Sequence, residues 1–391
     1  MDRFALYFGA VSDPRADNAR HDFLEVVFVA LAAMLCGAED CTDMALFAGA
    51  KLALLRQIVE LKHGAPSHDT FSRVFRLIDP EPFEAAFAKF TAAFAGALKG
   101  VVAIDGKALR GAYERGRKAM PLHLVNVWAA QTRLVIGQRL APHRNEVLGA
   151  QQALALLSLE GCIVTADALH CRADTAEVIL ASGADYALAV KANQPTLLAQ
   201  AQALIATADP SLEASDAPSL AHDRLEGRTA LVVAAEHIDF PGIAAVARVI
   251  THRQTADEPT AAIVRWFLLS TPLSARRMLE VARTHWSIEN QLHWVLDVDF
   301  GEDGVRSRKD NAPQNLALIR KLALNLIRHH PDRASIKGKS SELHGTTTSC
   351  SPCSAICDSP AFLREVFHID LWRGAASAQT GASPQLWLPK P

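Results

Sequence analysis

The run GVVAIDG, Gly100–Gly106, sets four apolar residues ahead of an Asp-Gly pair. A short apolar run closed by a turn signal is the pattern of a strand buried on both faces. The same rhythm returns in LHLVNVWAA (122–130), RLVIGQRL (133–140), GCIVTADA (161–168) and DYALAVKA (185–192). Helical patterns over Glu146–Leu157 and Ala173–Ser182 lie between these runs. Strands alternating with helices predict an α/β core around a mostly central sheet. A polar, proline-containing region, about 194–262, then intervenes before VRWFLLST (264–271) resumes as a strand. It predicts an insertion with short strands of its own, TALVVAAEHI (229–238) among them. Helices over Ala275–Val298 and Asn311–His329 are expected to close the domain.

Residues 1–95 carry a helical pattern instead. An apolar helix is expected over Phe23–Cys36 and another over Thr42–Leu61. In KHGAPSHDTFSRVFRLIDP (62–80), Gly64 and Pro66 punctuate, Ser67 or Asp69 can cap, and Phe71, Val74 and Phe75 follow helical spacing. Such a helix-turn-helix unit either enters a DNA groove, with Arg73 and Arg76 toward phosphates, or is a packing motif.

The 391 residues are 50% hydrophobic and 21% charged, enough for a large core and two or three domains. The longest apolar run, FLEVVFVALAAMLCGA (23–38), is broken by Glu25 and is shorter than the roughly 20 residues of a membrane span. The first fifteen residues lack the apolar core of a signal peptide, and seven cysteines show no disulfide rhythm. A reducing cytoplasm is the expected compartment. The net charge of −2 is uninformative, but local charge is not. Val101–Arg144 holds eight Lys/Arg against two Asp/Glu, and Val305–Ser340 nine against two. Two basic segments in a neutral chain suit a polyanionic partner, and equally suit solvated helix and loop faces.

Within HWSIENQLHWVLDVDFGED (285–303), helical spacing puts Glu289 beside His285, Trp286, Leu292 and His293, a largely aromatic and apolar face. A carboxylate there needs a partner, either a histidine or a metal. Asp105 and Asp167 each end an apolar strand, where open α/β sheets place ligands; an Asp-Gly turn and a helix N-cap are their plain structural roles. Taken together, the three make an oxygen-only set that favours Mg²⁺ or Mn²⁺ over zinc and suits two-metal phosphoryl transfer. Lys107, Arg110 and Lys191, close to the strand ends, can steady phosphates or serve as surface charges. Arg306, Arg308 and Lys309 open the second basic segment and complete the expected DNA-contacting set. The competing patterns are weaker. His285 and Glu289 have metal-ligand spacing without an HExxH motif, and DVDFGED has its glycine misplaced for an EF-hand. Asp297, Asp299, Glu302 and Asp303 are expected in solvent or paired with Arg306 and Arg308, and Trp286 and Trp294 in the core.

AIDGKALRGA (103–112), NEVLGAQQALALL (145–157), VTADALHCRADTAEVILASGADYALAVKANQ (164–194), HDRLEGR (222–228) and the 285–327 segment together resemble the insertion-sequence transposases of the H-repeat-associated kind. DPRADNARHDFLEVVFVALAAMLCGAED (13–40) and GAPSHDTFSRVFRLIDP (64–80) resemble that family's associated N-terminal domain. The likeness runs in order from about Phe8 to Lys339. It implies a helical N-terminal domain (1–95) and a ribonuclease-H-like DDE catalytic domain (96–339) with a strand-rich insertion. It further implies metal-dependent cleavage and strand transfer on double-stranded DNA, at the element's terminal inverted repeats and at target DNA, by a homo-oligomer in the nucleoid. Carried over by motif, Asp105, Asp167 and Glu289 are the three carboxylates and metal ligands. The broader group has a tyrosine, an arginine and a lysine around its glutamate where this chain has Ala282, His285 and Leu296, so those phosphate-contacting roles are unassigned. A nuclease that cuts without joining, or a non-catalytic DNA-binding descendant, shares much of this pattern.

After Lys339 the likeness stops at SSELHGTTTSCSPC (340–353), where the family continues with a sequence like AGWDDDFLL. Codons for HGTTTSCSPC, read one base earlier, can encode AWDDDFLLPM. A frameshift near Lys339 is the expectation, with Cys350, Cys353 and Cys357 out of frame, no metal site, and a poorly ordered tail over 340–391.

Overall fold

The computed structural model of the chain describes residues 1–113, 121–221, 224–235, 237–255, 259–329 and 336. The expected out-of-frame tail, 340–391, lies outside them. Helices α1 (Asp2–Phe8), α2 (Phe23–Leu35), α3 (Cys41–Ala50), α4 (Leu52–Leu55), α5 (His68–Leu77) and α6 (Pro80–Ala95) precede the first strand. Their starts follow from capping chemistry. Asp22, Asp40, Ser67 and Asp79 each accept a hydrogen bond from a backbone N–H of the first turn, and Pro80 opens α6 where its missing N–H costs nothing.

Glu25, the one charge in the apolar α2, turns its carboxylate to the chain at residues 60–61. It accepts from Glu60 N at 2.7 Å and from Leu61 N at 3.2 Å, and Leu61 there takes a positive φ of 44°. The continuous helix expected over Thr42–Leu61 is therefore two short ones, broken at Lys51 and finished by this clamp. In α5, Phe71, Val74 and Phe75 are fully buried, and Asn315 donates to Phe75 O and Ile78 O at its C-terminus. Arg76 pairs with Asp310 at 2.7 Å rather than standing toward a groove. The apolar face of this helix packs in the core, while Arg73 is exposed.

The sheet comprises β1 (Gly100–Tyr113), β2 (Pro121–Ala129), β3 (Leu134–Leu140), β4 (Cys162–Ala166), β5 (Asp185–Val190), β6 (Ala214–Ser215), β7 (Ser219–Ala221), β8 (Arg224–Ala234), β9 (Ala245–Thr255) and β10 (Pro259–Leu269). Its order is β3-β2-β1-β4-β5-β10-β9-β8-β6, with β7 on β8. β1, β2 and β3 form an antiparallel meander, while β4 and β5 run parallel to β1. The crossovers are α7 (Glu146–Leu154) and α8 (Ala173–Ala181). Strands β8 and β9 of the expected insertion do not stand apart from β10, the strand that resumes after it. They extend the same sheet antiparallel from β5, because β10 pairs with β5 along one edge and β9 along the other.

Helices α9 (Pro195–Ala206), α10 (Ala275–His285), α11 (Trp294–Val298) and α12 (Ala312–His329) complete the chain. The single helix expected over Ala275–Val298 is interrupted, with Ile288–His293 wound as a π-helix. α12 covers the edge strand: Asn325 donates to Val135 O at 2.7 Å and accepts from Val135 N at 2.9 Å, which blocks further strand addition there. One apolar core joins α2, α3, α5 and α6 to α12, so the N-terminal helices and α12 are buried against each other.

Candidate active site

The parallel register of β1 and β4 sets Ile104 against Ala166. The next residue of each strand, Asp105 and Asp167, therefore stands at the same edge on the same face. Ala103 and Thr165 lie one period behind on that face, and Thr165 Oγ1 meets His285 Nδ1 at 3.0 Å. That contact holds the end of α10 over the sheet. Trp128 Nε1 on β2 donates to Ser287 Oγ at 2.9 Å, and His293 Nε2 lies 3.3 Å from Asn126 Nδ2. Three side-chain tethers thus span 285–293, the stretch that leaves α-helical winding, and π-segments of this kind accompany functional sites.

Glu289 is carried on that segment. Asp105, Asp167 and Glu289 line one cavity of about 480 Å³ together with Lys191, Arg265, His285 and Trp286. Glu289 is exposed within it rather than pressed into an apolar face, which corrects the premise that its charge is buried. Trp286 is 37% exposed and Trp294 58%, so neither is a core residue.

The electrostatics are those of crowded carboxylates. Burial first, and then the negative charge of Glu289, push Asp105 up to about 7; Glu146 and Asp167 add to the shift, and the Gly106 N–H opposes it. Burial and Asp167 raise Glu289, while Arg265 works against them. Burial opposes the charge of Asp167 as well, but Lys191, whose Nζ lies 2.8 Å from Oδ1, holds this carboxyl below its ordinary value. Burial lowers His285 to about 4 and His293 to about 3, so both rings are neutral at pH 7. His293 Nδ1 is 3.5 Å from Asp105 Oδ2.

The other residues expected to meet DNA divide in two. Arg110, Arg306, Arg308 and Lys309 are exposed; Arg110 lies 3.5 Å from Asp303, and Arg308 stacks 4.1 Å above the Tyr113 ring. Lys107 is buried instead. It pairs with Asp297 and lies 3.4 Å from Glu302, which in turn is 3.5 Å from Lys321. Asp297, Glu302 and Asp303 thus answer Lys107, Lys321 and Arg110 rather than Arg306 and Arg308.

Three residues of this neighbourhood escaped the sequence reading: Arg265, His293 as a neighbour of Asp105, and Glu146. The Glu146 carboxylate is held by His123 Nδ1 at 2.6 Å and presses so closely on Gly106 that a Cβ there would meet Oε2 at 2.2 Å. The available signal for Arg265 was a lone cation inside the apolar run VRWFLLST.

Among the described residues no three His, Cys, Asp or Glu side chains close into a metal cage. The donor set still fits a hard cation. Mg²⁺ is usually held by one or two carboxylates plus substrate phosphates rather than by an all-protein shell.

Comparison with known proteins agrees with the order of elements. The family model described as DDE_Tnp_1-associated matches residues 5–91, and that described as transposase DDE domain matches 96–326. The chain is 29% identical over 371 residues to YncI, a proposed transposase of Escherichia coli O157:H7, covering 91% of this chain and 95% of that one. It is 31% identical over 325 residues to the H repeat-associated proposed transposase YhhI of Escherichia coli, covering 79% and 86%. A piggyBac transposase in a synaptic complex with hairpin DNA overlays 97% of this chain and 85% of its own at a TM-score of 0.45 and 13% identity. With a family model over residues 96–326 and relatives matched along most of their length, this chain belongs to the DDE transposases, in the group that includes the H repeat-associated proteins.

Proposed function

We propose that the chain is the transposase of an insertion sequence, and that it cuts the ends of its element and joins them to target DNA with Asp105, Asp167 and Glu289 as its three carboxylates. The observation that carries this reading is their convergence, from β1, β4 and the π-segment, on one cavity in which they raise the proton affinity of Asp105. The strand order β3-β2-β1-β4-β5, with the first acidic residue inside β1 and the second just past the end of β4, is the basis for reading this part as ribonuclease-H-like. The chain divides in this reading near residue 95, between the helical part and the catalytic part.

Mg²⁺ or Mn²⁺, when bound, supplies Lewis acidity toward phosphate oxygens and lowers the pKa of a coordinated hydroxyl or water. The chain supplies the rest. Asp105 and Asp167 give anionic oxygens at fixed strand positions, Glu289 approaches from the facing segment, and Lys191 holds Asp167 ionised. Arg110, Arg306, Arg308 and Lys309 offer an exposed cationic surface for double-stranded DNA, with two or more copies of the chain meeting on it.

The test is cleavage of a duplex carrying the DNA that flanks the coding sequence. Asp105→Asn, Asp167→Asn and Glu289→Gln should each abolish Mg²⁺-dependent cleavage while DNA binding persists. Retained cleavage in any one removes that residue from the set, and cleavage without joining of a 3′-hydroxyl end identifies a nuclease instead.

A further inference from the structure

We propose that Arg265, braced on Trp286, is the side chain that grips a phosphate of the DNA strand lying in the carboxylate cavity. This inference rests on that cavity being the site of DNA cleavage.

The tyrosine, arginine and lysine positions of the broader transposase group are filled here by Ala282, His285 and Leu296. Ala282 and Leu296 are buried, and His285 is tied to Thr165, so none of them offers a charge at the cavity. The sheet supplies one from elsewhere. β10 runs antiparallel to β5 with Trp266 against Val190, and continuing that register brings Arg265 alongside Lys191. Side chains directly opposite on antiparallel strands share a face, and both residues line the cavity. Two cations thus line the cavity together with two aspartates.

Arg265 is also oriented. Its guanidinium lies 4.9 Å from the centroid of the Trp286 ring, and Nη1 is 3.5 Å from Thr251 Oγ1 on β9. Trp286 belongs to the turn that carries Glu289, three residues further on, and 37% exposure leaves its ring available at the cavity. A planar guanidinium stacked on an indole keeps its donor fork in plane, the geometry that matches two phosphate oxygens; a lysine offers only a point charge. The positive charge of Arg265 reaches the catalytic side of the cavity, where it counters the upward shift of Glu289.

The experiment uses the full chain carrying Asp105→Asn to block cleavage, and a fluorescein-labelled duplex with the DNA that flanks the coding sequence. Binding is measured by anisotropy across a range of KCl. Arg265→Gln is expected to reduce the slope of log K against log salt by about 0.9, one phosphate contact. Arg265→Lys should leave the slope unchanged. In the chain with Asp105 intact, Mg²⁺-dependent cleavage should fall by roughly 100-fold for Arg265→Gln and measurably for Arg265→Lys, since the fork is lost in both. An unchanged slope with Arg265→Gln overturns the proposal, as does wild-type cleavage by Arg265→Lys, which decides the matter if the glutamine variant does not fold. Should Asp105→Asn itself cleave, the reading of the cavity fails, while the slope still reports on the phosphate contact.

Discussion

Lys107 Nζ lies 3.4 Å from Glu302 Oε2, with both side chains buried. Burial opposes the charge on Glu302, yet Lys321 and Lys107 hold its carboxyl below the ordinary range. Lys107 follows Asp105 by two residues on β1, and Lys321 belongs to α12, so one buried carboxylate joins the candidate catalytic strand to α12. Removing one member of such a set leaves charge without compensation. Glu302→Gln should lower the unfolding free energy by about 3–5 kcal/mol, and adding Lys321→Met should restore part of it. Urea denaturation measures both; a loss below about 1 kcal/mol for Glu302→Gln would show the set to be energetically neutral.

His293 stands 3.5 Å from Asp105 Oδ2 and 3.3 Å from Asn126 Nδ2. A neutral ring between a carboxylate and a strand amide fixes the carboxylate's direction. Partners of this kind typically contribute 10- to 100-fold to metal affinity or activity. His293→Ala should raise the Mg²⁺ concentration for half-maximal cleavage within about that range, with thermal stability measured in parallel. An unaltered Mg²⁺ titration argues against the positioning role.

Asp105 predicts a pH dependence. Its ordinary value of 3.8 is pushed up to about 7 in the folded chain, by burial and by Glu289. Between those values the folded state binds a proton that the unfolded state has released, so unfolding free energy falls as pH rises through the window. In EDTA, the melting temperature of the wild type should drop more between pH 4 and pH 7 than that of Asp105→Asn. Added Mg²⁺, which favours the ionised carboxylate, should narrow the gap. Parallel pH profiles for the two proteins would contradict the shift.

Gly111 lies on β1 against the loop that follows α11. A Cβ there would meet Val305 O at 2.3 Å and Asp303 O at 2.8 Å, both backbone atoms that cannot swing aside. Gly111→Ala should therefore cost about 1–3 kcal/mol through backbone displacement. Gly304→Ala, with nothing within 4 Å of its Cβ, should be tolerated. Thermal melts of the pair compare them directly; equal melting temperatures would mean the loop yields freely.

Much of this was legible in the residues. Asp167 just past β4 and the Ser67 cap follow from local rules that tertiary structure left intact, whereas Asp105, expected to end its strand, lies inside β1, which runs on to Tyr113. What was misread is equally local in form. Lys107 and Arg110 are both cations near a strand end in one segment, yet Lys107 is buried against Glu302 and Arg110 is exposed. Periodicity predicts one helix over Ala275–Val298, whereas the tethers to Thr165, Trp128 and Asn126 accompany a π-segment inside it.

The sequence by itself determined the α/β alternation, the caps and the acidic end of β4, because backbone preference and apolar spacing act between near neighbours. The tertiary structure decided which charges face each other. Sheet register set Asp105 beside Asp167, β10 carried Arg265 alongside Lys191, and α12 brought Lys321 to Glu302. Those meetings join residues up to 74 positions apart, as with Lys191 and Arg265, and electrostatic partnership follows distance in space, which no local pattern encodes.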